Sequence, residues 1–303
     1  MSSIKFLDNV LQGKNTKSSY FLTIVGTVIG GSVASILFIV LFMLVYVFSS
    51  GNFMFQSQID MLELNPFLTL IFVGLTYGIY ALLFYLCIRF IHKKNFMSLI
   101  NIGKNLKWKR IIKGAALWTG IMTAVTLVSL IFQGGEVIFN FNLSSFLILV
   151  VLSVLVFPLQ ASFEEIFFRG YLMQGFSLIS KKPVVPLVLT ALIFGCIHFY
   201  NGSSLIISIS IVISAMILGL MLGIIVLGEN GLETAMGVHI ANNMFVAVIL
   251  NSSDSGLGNL PSLITAQNTD PYSGIPLLIL MAVTLLLIIF WNDKNAFSRI
   301  FRS

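Results

Sequence analysis

Residues 162–174 read SFEEIFFRGYLMQ, which sets two adjacent glutamates and an arginine at the end of a long apolar run. Glu165 and Arg169 stand four residues apart, so on a helix they share a face and can pair. Glu164 points about 100° away and cannot be neutralised by the same contact. The spacing therefore predicts one braced carboxylate, Glu165, and one free carboxylate directed elsewhere, Glu164. Two further segments carry chemistry. His198 closes FGCIH (194–198), with Phe194 one turn earlier on its face, and His239 opens HIANN (239–243), with Asn243 one turn later. A carboxylate, two imidazoles and an amide donor suit hydrolysis by an activated water. In one form Glu164, His198 and His239 bind a divalent metal such as zinc, leaving the fourth position open. In the other, Glu164 and His198 deprotonate the water directly, while His239 and Asn243 stabilise the oxyanion on the attacked carbonyl. Cys196 is two residues from His198, so the two side chains diverge on a helix and a cysteine nucleophile is disfavoured.

The elements that must position these groups are membrane helices. Of 303 residues, 57% are hydrophobic and 9% charged, with a mean hydropathy of +1.00. A soluble domain carries about 25% charged residues, so this composition makes an all-α, polytopic integral membrane protein. The two cysteines lie in apolar stretches and read as packing rather than as a disulfide. A span needs about 20 apolar residues. That length gives eight expected spans: 20–48, 67–90, 113–133, 143–163, 184–200, 204–227, 232–250 and 274–291. The first is too long for the 7–15-residue core of a signal peptide. NGSS (201–204) is the break between the fifth and sixth, and GENG (228–231) a short turn after the sixth.

The net charge of +6 does not point to nucleic acid, because of where the charges lie. All 17 lysines and arginines fall before the first span, between the second and third (with Arg89 and Lys113 on the facing ends of those two), between the fourth and fifth, or after the eighth. The alternate loops carry Asp60, Glu63, Glu136, Asp254 and Asp270 instead. The positive-inside rule then puts both termini in the cytoplasm. The basic segment 93–114 suits either a helix lying on an anionic inner leaflet or an ordinary cytoplasmic loop. His92 is expected to be a solvated loop residue, and Glu233 to have a structural role at a helix start. Glu164 lies 18 residues before Lys182 and His198 16 after it, so a hairpin turning near Pro183 sets them at similar height. His239 falls roughly 12 Å into its own helix.

EEIFFR (164–169), FGCIH (194–198) and HIANN (239–243) match EExxxR, FxxxH and HxxxN, in that order on successive helices. This trio resembles the CAAX protease and bacteriocin-processing family, also called the Abi family, over roughly residues 160–245. The resemblance implies an intramembrane peptidase with Glu164, His198, His239 and Asn243 at the catalytic motif positions, and Glu165, Arg169 and Phe194 in support. It leaves both the metal-dependent and the glutamate-dependent form open. The expected substrate is a peptide or lipid-associated protein, met at a bacterial cell membrane. Residues 143–250 form the expected catalytic core. An N-terminal region, 1–142, precedes it, and 251–303 hold an outer loop, the last span and a cytoplasmic tail. Two other functions compete: a non-catalytic immunity protein that sequesters a peptide, and an ion-coupled transporter whose glutamate and histidines relay protons. A transporter commonly shows paired interrupted repeats, and the sequence has no internal repeat.

Overall fold

A computed structural model describes residues 5–50, 65–132, 137–252, 260–267 and 270–301. Short polar residues start the long apolar helices. Thr16, Asn65, Asn142 and Ser204 each accept a hydrogen bond from a backbone N–H of the first turn that follows, satisfying donors that lipid cannot. The helices are α1 (Lys17–Tyr46), α2 (Pro66–Phe90), α3 (Trp108–Phe132), α4 (Leu143–Phe176), α5 (Val184–Ile197), α6 (Leu205–Glu229), α7 (Glu233–Val248), α8 (Ile275–Phe290) and α9 (Lys294–Phe301). The breaks expected at NGSS and GENG are present. Ser204 caps α6, and Asn230, left-handed at φ 55°, ends it.

Six helices among the described residues are long and apolar enough to cross a membrane, so the protein is a multi-pass membrane protein, nearly all helical. The expected seventh and eighth spans form helices, but α7 and α8 have 16 residues each. That is about 24 Å of helix, short of a hydrocarbon core of about 30 Å. In α7, 11 of the 16 residues are buried, so it is an interior helix rather than a lipid-facing one. Its apolar sequence serves protein packing. Gly237 of α7 lies on the Ile111 carbonyl of α3, and Gly114 of α3 lies on the Thr234 carbonyl of α7. No side chain fits at either point, which lets the two backbones meet closely.

A small sheet also departs from the all-helical expectation. β1 (Val137–Phe139), β2 (Leu250–Ser252) and β3 (Ile264–Ala266) take the order β1-β3-β2. β1 pairs antiparallel with β3 and β2 parallel with it. The sheet ties the far ends of α3 and α7 together. Asp60, Glu63, Glu136 and Asp254 lie outside the described residues.

At the opposite end, part of the basic segment packs into the protein. Leu99 and Ile100, in the one-turn helix Met97–Ile100, are buried in the protein, and Asn101 bridges to Gly231. The N-terminal residues Phe6, Leu7 and Val10 fold over them and are also buried. Asn9 Nδ2 donates to the carbonyls of Ser98 and Asn101, and Phe6 N–H to Asn230 Oδ1. His92 is consequently 1% exposed, not solvated. Its Nδ1 donates to the Lys14 carbonyl at 2.8 Å, and its Nε2 faces Tyr171 Oη at 2.9 Å. Glu233, on the first turn of α7, is fully buried and accepts from Asn101 Nδ2 and the Lys107 N–H. That is the structural role expected of it.

Candidate active site

Helix α4 changes pitch where its charges lie. Leu143–Glu165 is α-helical, whereas Ile166–Leu172 is a π-helical turn before the helix resumes. Such widened turns recur at functional sites because they redirect side chains within a continuing helix. Glu164 stands 2% exposed, and Glu165 and Arg169 are fully buried. Arg169 Nη1 donates to Glu165 Oε1 at 2.7 Å. A guanidinium has no acceptor, so Glu165 Oε1 accepts in this pair.

That assignment fixes the next group. His239 Nδ1 lies 2.8 Å from the same Glu165 Oε1 and therefore carries the N–H. Its Nε2 then faces the other side, 3.6 Å from Glu164 Oε2. A carboxylate fixing one ring nitrogen of a histidine in order to set the other is a common orienting device.

Glu164 is not a free carboxylate. Its Oε1 accepts from Tyr77 Oη on α2, and Gln160 Nε2, one turn earlier on α4, lies 3.4 Å from the same oxygen. Oε2 is the oxygen that faces His239.

Phe194 joins the remaining groups. Its ring lies 4.2 Å beneath the Arg169 guanidinium, 4.7 Å from the His198 ring and 5.9 Å edge-on from the His239 ring. His198 caps the end of α5 and is half-buried. Its Nδ1 donates to the Phe194 carbonyl at 2.7 Å, which leaves its Nε2 as an acceptor. Asn243 Oδ1 accepts from Asn242 Nδ2 at 3.2 Å, and Asn242 Oδ1 accepts from Trp118 Nε1 of α3 at 3.2 Å. The NH2 end of Asn243 remains the donor. Cys87 and Cys196 are both free thiols.

The structure thus gathers Glu164, Glu165, Arg169 and His239 in one contact network, with Phe194 linking His198 to it. Tyr77, Gln160 and Trp118 were not singled out by sequence. Each is an ordinary residue of an apolar helix, and for Tyr77 and Trp118 the partner lies 87 and 124 residues away.

A divalent metal needs its ligands closer together than this donor set holds them. Ligands on a tetrahedral zinc at about 2.0–2.1 Å stand about 3.4 Å apart, close to the 3.6 Å between Glu164 Oε2 and His239 Nε2. Among the described residues, however, no three His, Cys, Asp or Glu stand close enough together to hold one ion. His198 does not complete that pair. The described residues as placed do not form a metal centre.

Residues 144–245 match the family described as type II CAAX prenyl endopeptidase Rce1-like. The segment spans the Glu–Glu, His198 and His239 motifs. The chain is also similar to the uncharacterized protein YyaK of Bacillus subtilis (strain 168), 29% identical over 265 residues, covering 86% of this chain and 87% of the relative. No solved structure matches the chain.

Proposed function

On the premise that residues 144–245 belong to the type II CAAX prenyl endopeptidase Rce1-like family, we propose that the protein is an intramembrane endopeptidase in which Glu164 activates the attacking water. The substrate is a membrane-associated peptide or lipid-bearing protein, met in a bacterial cell membrane. The observation that carries this reading is the 3.6 Å separation of Glu164 Oε2 and His239 Nε2, two acceptors facing each other across a gap. A water to one side of the pair, about 2.8 Å from each atom, can give a hydrogen bond to both. Its oxygen attacks the scissile carbonyl carbon while its proton passes to Glu164. The C–N bond then breaks, and the proton moves from Glu164 to the leaving amine.

The other residues have supporting parts in this reading. Arg169 braces Glu165, and Glu165 accepts from His239 Nδ1, turning Nε2 toward the water. Asn243 offers its NH2 to the oxyanion. His198, tilted against the same phenylalanine, offers a second Nε2 acceptor for the water or the leaving amine.

The test is cleavage, in lipid vesicles, of synthetic apolar peptides with and without a prenyl group near the C-terminus, by wild type and Glu164→Ala. Cleavage by wild type and none by the variant supports the peptidase. Protection without cleavage in both proteins would make it a binder, as in a non-catalytic immunity protein, and full cleavage by the variant would remove Glu164 as the base. Metal content measured in parallel decides the form: stoichiometric zinc, with activity lost to a chelator, would make Glu164 and His239 ligands rather than a base pair.

A further inference from the structure

Glu164 cannot choose by itself which of its two oxygens takes the proton. The terminal torsion of a glutamate is broad and two-fold, so the carboxylate needs an outside donor to hold one face. Helix α2 supplies that donor. Tyr77 Oη donates to Oε1, with Gln160 Nε2 on the same oxygen, and Oε2 is left toward His239 Nε2. The tyrosine ring is itself fixed, edge-on to Tyr80 at 5.9 Å and to Phe163 at 5.8 Å. Tyr77 lies outside residues 144–245, so a helix beyond the family match closes the site.

We propose that Tyr77 is a positioning residue for hydrolysis: it pins Glu164 Oε1 so that Oε2 alone faces the water held with His239. The proposal rests on the peptidase reading above. It gives the N-terminal helices a part in the reaction as well as in the scaffold. Trp118 of α3 acts alike on the other side, holding Asn242, which in turn holds Asn243. A purely structural role for Tyr77 would be to satisfy a buried carboxylate and fasten α2 to α4. That role predicts a change in stability with the turnover of the folded enzyme intact. A role in substrate binding is the other alternative, because the ring also borders a cleft of about 310 Å³ with Ile39, Thr69, Phe72, Val73 and Thr76. That role predicts a change in KM.

The experiment is steady-state cleavage in vesicles by wild type, Tyr77→Phe and Tyr80→Phe. Tyr77→Phe keeps the ring and removes only the hydroxyl. Tyr80, one turn away, bonds Ser32 Oγ at 2.8 Å and does not touch Glu164. Tyr77→Phe is expected to lower kcat about 10- to 100-fold, the cost of a misplaced reacting group, with KM within about twofold. Tyr80→Phe is expected to match wild type in both. If Tyr77→Phe does not fold, Gln160→Met removes the second donor to the same oxygen and is expected to lower kcat with KM unchanged. Wild-type kcat in Tyr77→Phe, or a rise in KM alone, overturns the proposal and leaves the peptidase reading standing. A wild-type protein that cleaves none of the peptides overturns both.

Discussion

Helix α4 carries two buried polar clusters, and they are completed to different degrees. Toward its end, Tyr171 meets His92 Nε2, and Gln174 Oε1 accepts from Lys94 Nζ at 2.9 Å. Gln174 Nε2 donates in turn to the Ser98 carbonyl at 2.9 Å. Earlier on the same helix, Gln160 Oε1, Glu165 Oε2, Arg169 Nε and Arg169 Nη2 are buried without a hydrogen-bond partner among the described residues. Native proteins rarely leave buried polar atoms unmatched, and exceptions gather at functional sites. The first cluster is a clamp that holds the N-terminal segment to the core. The second keeps polar capacity for something outside the chain.

This contrast can be broken by mutation, and the largest effect is expected at Arg169. Arg169→Met leaves Glu165 buried without its counter-charge, which costs about 3–5 kcal/mol. It also frees His239 from its set tautomer. The melting temperature in detergent should fall sharply, and Glu165→Gln in the same chain should recover most of the loss without restoring cleavage. A full melting temperature in the single variant would mean that the pair does not brace the site.

A smaller effect is expected in the clamp. Gln174→Leu strips Lys94 of its acceptor and the Ser98 carbonyl of a donor, a loss of about 1–3 kcal/mol. Thermal unfolding should register it while kcat of the folded enzyme stays at the wild-type value. A kcat loss comparable to that of a site variant would merge the two clusters functionally.

The smallest effect is a pH dependence confined to the clamp. Burial lowers His92 below its usual 6.5 and takes Lys94 from 10.5 down to about 8. In both cases the unfolded chain binds the proton more tightly than the folded one, so stability rises with pH. For His92 the contribution is complete above pH 6.5 and is lost as pH falls toward its folded value. For Lys94 stability rises between pH about 8 and 10.5. Melting curves from pH 5 to 7.5 should therefore show an acid-side decline that is shallower in His92→Gln. Equal slopes in the two proteins would contradict the burial of a neutral His92.

What could be read from sequence follows from range. The Glu165–Arg169 pair is local, four residues on one helix, and its spacing suffices. NGSS and GENG break helices through their own residue types, and the breaks fall where those residues predict. The burial of His92 was not legible beside Lys93 and Lys94. It arises because Asn9 and Lys14, some 80 residues earlier in the chain, bond to this segment. Nothing in LTYGIYALL separates Tyr77 from Tyr80; only the packing of α2 on α4 turns one toward Glu164 and the other toward Ser32. The interior place of α7 was not legible for a related reason. An apolar run buried by protein and one buried by lipid have the same composition, and the difference lies in Gly114 and Gly237 meeting across two helices.

The central claim is that Glu164 activates water while Glu165 and Arg169 hold His239 to receive it. The most direct test is cleavage of the vesicle-borne peptides by Glu164→Gln, whose side chain keeps the shape of glutamate and can still accept from Tyr77. The account predicts a folded protein, with a melting temperature near wild type, whose cleavage falls by about 1,000-fold or more, the scale of a lost general base. Cleavage by Glu164→Gln at the wild-type rate would contradict it.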